Sequence, residues 1–112
     1  MKIKSFLGGF DKNFCYVVWC KKTRLAGIVD PAVPVNPILE CIEHNNLILD
    51  KILITHSHHD HIAYLDDIVN QYPNINVFIN DNASSFKNYN THRLVNGEVF
   101  SIGAEIIAAL HT

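Results

Sequence analysis

Groups able to do chemistry are concentrated in one stretch, Thr55-His56-Ser57-His58-His59-Asp60-His61, directly after the apolar run Ile52-Leu53-Ile54. Unpaired polar groups are costly beside a core, so imidazoles and a carboxylate crowded at the end of an apolar run need a reason. Metal binding supplies one. Imidazole nitrogen and carboxylate oxygen suit zinc, iron and similar divalent ions. The spacing indicates which groups share an ion. Side chains two apart on an extended segment point the same way, so His56 and His58 converge while His59 turns away. Asp60 and His61 fall where the chain turns into the next helix, and they reach a second point nearby. Two ligand pairs close together are the start of a two-metal site.

Other candidates have bland readings beside the chemical ones. His44, His92 and His59 are read as surface residues or as supports behind a ligand. Asp30, at the tip of an earlier strand, either orients a ligand from behind or caps the turn before Pro31. Cys15, Cys20 and Cys41 are odd in number and form no C-x-x-C pair. They read as buried thiols in a reducing compartment rather than a disulfide framework. Cys15 and Cys20 are separated by an odd step, which puts them on opposite sides of a strand.

The flanking patterns supply the elements that must position the cluster. Phe14–Cys20 is continuously apolar, as expected of a strand covered on both faces. Lys21-Lys22-Thr23 is a polar turn leading to a strand at Leu25–Val29. Asn36-Pro37 reads as a helix start, an amide cap with proline at the first helical position. Ile38, Leu39 and Ile42 then make one apolar face, and Asn45-Asn46 is the stop. The strand Lys51–Thr55 delivers the cluster, and Ile62, Leu65, Ile68 and Val69 repeat at helical spacing behind it. Tyr72-Pro73 ends that helix, and Ile75–Ile79 is another strand. Residues 80–91 are polar and poorly patterned, with room for a short helix around Ala83–Lys87. Asn96-Gly97 predicts a hairpin turn between Leu94-Val95 and Val99-Phe100. Ala104–Leu110 is the last expected strand. Strands flanked by helices, with ligands at a strand's carboxyl end, make an α/β architecture.

A chain of 112 residues, 48% of them hydrophobic, is expected to make one domain with a real core. Net charge is −2 and no basic run exists, whereas phosphate-backbone binding needs a basic stripe. A small-molecule substrate is therefore expected, not nucleic acid. No apolar run approaches the roughly 20 residues of a spanning helix, so no membrane is expected. The N-terminal apolar stretch is too short for a signal peptide. A cytoplasmic location is the default expectation.

His56-x-His58-x-Asp60-His61 after a hydrophobic strand resembles the signature of the metallo-β-lactamase superfamily. The order of elements agrees along essentially the whole chain. Strands at Met1–Lys4, Phe14–Cys20 and Arg24–Val29 precede a helix, the motif, a helix and a strand. That order is similar to the first half of glyoxalase II-like hydrolases. The resemblance implies an αββα sandwich, a mixed β-sheet with flanking helices, of which residues 1–112 would be the N-terminal half of an incomplete domain. It implies zinc, two ions in the complete site, with iron or manganese as alternatives. His56 and His58 would hold the first ion and Asp60 and His61 the second, with Asp60 counted also as a catalytic group. A metal-bound hydroxide would attack a thioester such as a hydroxyacyl-glutathione. Two other readings stand beside it: a mononuclear iron persulfide dioxygenase of the same superfamily, which takes only the first motif histidine from this region, and a non-catalytic metal-binding or assembly half-domain.

In the family the last strand runs on as H-T-P-G-H-T, and its second histidine is the ligand. His111 matches the first and is not read as a ligand. The third histidine, a bridging aspartate and a final histidine are expected beyond Thr112. The chain is thus expected to be a truncated piece, holding metal weakly by itself. The sheet face meant for a partner sheet is expected to drive self-association. Ala63 and Tyr64 stand where glyoxalase II-like sequences commonly carry glycines, which loosens the link to that branch but not to the superfamily.

Overall fold

Alternation between two sides of extended strands builds the main sheet. The structure, a computed structural model, describes residues 1–8, 13–55, 64–80 and 90–108. Strands β1 (Lys2–Gly8), β2 (Asn13–Trp19), β3 (Leu25–Val29), β4 (Ile48–Ile54), β5 (Asn76–Asn80) and β6 (Asn90–Leu94) lie side by side in that order. The pairs β1–β2 and β2–β3 are antiparallel. From β3 to β6 the strands run parallel. Parallel neighbours need a crossover, and the helices provide it: α1 (Val35–His44) links β3 to β4, and α2 (Leu65–Gln71) stands between β4 and β5. This α/β arrangement sets the carboxyl ends of β3 and β4 next to each other.

Both helices cover one face of the sheet. Cys15, Val17, Ile28, Ile52, Val77 and Ile79 point there and are fully buried. Ile38, Cys41 and Ile42 of α1 and Leu65 and Ile68 of α2 close over them. The Asn45-Asn46 stop holds. Asn46 takes φ 53°, its N–H bonds the Glu43 carbonyl at 3.2 Å, and the Leu47 N–H bonds the Ile42 carbonyl at 2.9 Å. Those two bonds form a Schellman end. The helix start differs from the expectation. The N-cap is Pro34, without a side-chain cap bond. Pro37 therefore sits inside the first turn, where a missing N–H costs nothing because the first N–H groups have no intrahelical acceptor.

On the opposite face the expectation for β2 is corrected. Phe14 is 51% and Tyr16 37% exposed, and the register brings Leu7 (59%) beside Phe14 and Ile3 (64%) beside Val18. Among the described residues, cover comes from a second sheet, the antiparallel hairpin β7 (Val99–Ile102) and β8 (Glu105–Ala108). Its Ile102 is fully buried, 3.2 Å from where a Cβ on Gly27 would lie. Phe100 packs on Phe78 with ring centroids 5.2 Å apart. The hairpin covers the middle of the sheet and leaves the β1–β2 side open among the described residues.

The Asn96-Gly97 expectation is half right. A turn is present, with the Glu98 N–H on the Val95 carbonyl at 3.0 Å. Gly97 has φ 84° while Asn96 stays negative, the type II pattern. Unlike the primed turns of tight hairpins, it splays its flanks. It carries the chain from one sheet to the other: β6 pairs in parallel with β5, and β7 pairs with β8. β1 and β4 are longer than expected, and the last described strand ends at Ala108. The helix expected at Ala83–Lys87 lies outside the described residues.

Candidate active site

The parallel register pairs Val29 with Leu53, so the two strands end together. Just past β3, the Asp30 N–H bonds the Leu53 carbonyl at 2.8 Å, extending the ladder by one step. The Asp30 backbone then turns to φ 53° immediately before Pro31. That conformation is unfavourable for an L-residue, and a following proline disfavours helical values further. The Ala32 N–H bonds the Asp30 carbonyl at 2.6 Å, closing a γ-turn on Pro31.

Asp30 is the charged side chain buried in the core among the described residues, 6% exposed. A buried carboxylate persists only where donors meet it. Here the Thr55 N–H donates to one oxygen at 2.7 Å and the Thr55 hydroxyl donates to the other. Thr55 follows β4 and directly precedes His56 in the chain. On the far side of the motif, the Tyr64 N–H bonds the Pro31 carbonyl at 3.0 Å. Tyr64 is the N-cap of α2. Sequence reasoning reached Asp30 but not its partner. The signal is a threonine directly before the motif. Its meaning depends on β3 and β4 being neighbours.

His56, His58, Asp60 and His61 lie outside the described residues, as do His59, Ala63 and His111. Among the described residues no group of three or more histidine, cysteine or acidic side chains could hold a metal. The donors at 56–61 are of the types such an ion takes. His44 is exposed at the end of α1. His92 is engaged elsewhere: its Nε2 lies 2.6 Å from Glu98, and its ring rests 5.0 Å from Phe78. Glu98 is held below its ordinary carboxylate value by that bond and by the Val95 N–H.

All three cysteines are free and buried. Burial pushes the Cys15 thiol up to about 12, with the Ala32 N–H opposing and the Asp30 charge adding to it. Bonds from the Thr23 hydroxyl and the Thr23 and Ala104 backbone lower Cys20 to about 7. A hollow of about 370 Å³ lined by Leu49, Asp50, Gln71 and Tyr72 lies where β4 and β5 begin, at the end of the strands away from Thr55.

The family model described as metallo-beta-lactamase superfamily matches residues 8–90, a span that contains residues 56–61. The chain is 36% identical over 107 residues to the probable hydroxyacylglutathione hydrolase glo2 of Schizosaccharomyces pombe, covering 93% of this chain and 40% of that protein. It is 40% identical over 77 residues to the hydroxyacylglutathione hydrolase of Aliivibrio fischeri, covering 69% of this chain and 29% of that protein. The chain thus spans well under half the length of these relatives. Among solved structures, the fold is similar to a metallo-beta-lactamase from Staphylococcus aureus, with TM-score 0.82, 23% identity, and coverage of 100% of this chain and 34% of that one. It is also similar to ETHE1 from Myxococcus xanthus, with TM-score 0.80, 21% identity, and coverage of 95% and 46%.

Proposed function

The chain belongs to the metallo-beta-lactamase superfamily, and on that premise we propose that the whole protein is a metal-dependent hydrolase acting on a thioester of the hydroxyacylglutathione class. The reading is carried by the likeness to two proteins named hydroxyacylglutathione hydrolase. In this reading His56 and His58 hold one ion, and Asp60 and His61 hold a second. Zinc suits these donors, with iron or manganese as alternatives. When bound, the ions supply an activated water near neutral pH and stabilise charge developing on the carbonyl oxygen. Asp30 acts from behind: its bonds to Thr55 hold the residue that leads into the first ligand. The substrate is a small molecule and the setting cytoplasmic. The exposed patch of Ile3, Leu7, Phe14 and Tyr16 supports self-association of this segment when it is isolated.

The test compares two neighbours in the full-length protein. Asp60→Ala should lower kcat/KM for a hydroxyacyl-glutathione thioester by on the order of 100-fold or more, above the usual effect of a residue supporting a ligand. It should also reduce bound metal from two ions to one by elemental analysis. His59→Ala should leave both near parent values. Thioester hydrolysis undiminished in Asp60→Ala would sink the dinuclear reading. One iron per protein in the parent would replace it with the mononuclear oxidation.

A further inference from the structure

β1 is the outermost strand of the six-stranded sheet, and among the described residues it pairs with β2 alone. An outer strand presents backbone donors and acceptors to any strand that can align with it. Its two sides differ. Phe6 packs against the core on the side of α1 and α2, so Lys2 and Lys4 share that side. Ile3, Ser5 and Leu7 lie on the open side, all of them exposed. α1 does not close over this strand. A hollow of about 300 Å³ lies between them, lined by Lys4 and Phe6 from β1 and by Pro37, Glu40 and His44 from α1.

Lysine on an outer strand ordinarily guards it against pairing, and the positions of Lys2 and Lys4 decide what this strand can accept. A second copy of β1, laid antiparallel beside the first with a twofold axis through Ser5, overlaps all 7 residues. Lys2 then lies opposite Gly8, Ile3 opposite Leu7 and Lys4 opposite Phe6, and Ser5 meets its own copy. No like charges face each other. Leu7 already lies beside Phe14 on its own sheet, so the Ile3–Leu7 pairs join the apolar strips of two copies into one band. Lys4 stands over the Phe6 ring of its own strand at 5.8 Å, and the pairing puts the ring of the other copy beside it as well. Other registers are worse. Centring the pair on Lys4 sets Lys4 opposite itself, and centring it on Ile3 sets Lys2 opposite Lys4; like charges directly opposed destabilise a strand pair. Centring it on Phe6 loses both Ile3–Leu7 pairs. We infer that the protein forms a homodimer by antiparallel pairing of β1 with β1 of a second copy, in the register centred on Ser5. A strand from another protein would need acidic groups opposite both lysines, whereas a second copy is matched by what β1 itself carries. The pairing uses no residue assigned to metal chemistry and does not depend on the hydrolase reading.

The test uses the full-length protein. Sedimentation at roughly 50 µM, above a micromolar Kd, should give the mass of a dimer. Ser5 is exposed, so Ser5→Lys is compatible with the fold, which far-UV circular dichroism checks. It places two like charges on the axis and should weaken the dimer at least about tenfold. Ser5→Glu should do the same. Mixing the two variants should restore a dimer, since opposite charges then face each other. Cross-linking reads the register separately. Opposed residues of an antiparallel pair have Cα atoms about 5 Å apart, within disulfide reach, so Ser5→Cys should link to its own copy under oxidised glutathione. Lys4→Cys should not, because the two copies of that position lie about 8 Å apart. Cys15, Cys20 and Cys41 are buried, and the parent supplies the background. A monomer at that concentration would overturn the proposal. So would a dimer that Ser5→Lys leaves at parent strength, or one that links through Lys4→Cys as readily as through Ser5→Cys. If Ser5→Lys does not fold, the Ser5→Cys link decides alone.

Discussion

Phe14 and Cys15 are neighbours on β2, and one is 51% exposed while the other is fully buried. The same contrast runs across the sheet. The face carrying Cys15, Val17, Ile28 and Ile52 is closed by α1 and α2. Among the described residues, the face carrying Ile3, Leu7, Phe14 and Tyr16 has the β7–β8 hairpin over its middle and nothing over these four. Chemical type does not separate the two sets, since both are apolar. What separates them is the connection between strands. A parallel pair requires a crossover, and such crossovers take one hand, so both helices land on one side. The other side carries the β7–β8 hairpin, which comes later in the chain. Burial is concentrated on the closed face, and the exposed apolar side chains lie on the open one.

The largest test of that contrast is a pair of truncations. Ile52→Ala, at a fully buried position, should cost roughly 3–4 kcal/mol in urea unfolding. Leu7→Ala, at a position 59% exposed, should stay within about 0.5 kcal/mol. Equal costs would erase the distinction between the faces. A smaller effect is expected at the hairpin that covers the open face. Gly103 has φ 58°, and a Cβ there would lie 2.0 Å from the Thr23 hydroxyl and 2.8 Å from the Cys20 Cβ. Gly103→Ala should cost at least about 1–2 kcal/mol from the backbone alone, with the thermal midpoint as readout. A neutral result would mean that the hairpin is not seated on Cys20 and Thr23.

The two faces should also respond to pH in opposite directions. Cys15, on the closed face, is raised from 9.0 to about 12. The unfolded chain therefore loses this proton first. The contribution is fully present below pH 9 and is lost as pH rises from there toward 12. Between pH 9 and 10 the parent should lose about 1 kcal/mol more stability than Cys15→Ala. Glu98, on the open side, is lowered by His92. Its contribution is present above the ordinary carboxylate value and fades as pH falls through the lowered one. That is the smallest effect, seen as a shallower acid slope in Glu98→Gln; an unchanged slope would mean that the His92–Glu98 contact adds nothing to folding.

Local order was readable from residues alone. The apolar repeat Leu65–Ile68 became the buried stripe of α2, and Asn45-Asn46 ended α1, because helix periodicity and left-handed asparagine are properties of a few adjacent residues. Type and spacing also carry the reading of His56, His58, Asp60 and His61 as ligands, since donor atoms are a property of side chains, and that reading stands as part of the proposed function. The helix start at Asn36 failed because α1 begins two residues earlier, with Val35 packed against the core and no side-chain cap at Pro34. Only the end of β6, at Leu94, was expected to be extended; the rest of Asn90–Leu94 is polar and is recruited by its neighbour β5 rather than by its own pattern. Asn96-Gly97 marked a turn, but which strands it joined depended on pairing partners elsewhere. The bond from Thr55 to Asp30 spans 25 residues. Residue types and local spacing carry no signal for such a contact; it exists because the α1 crossover lays β4 against β3 and ends both strands at the same level.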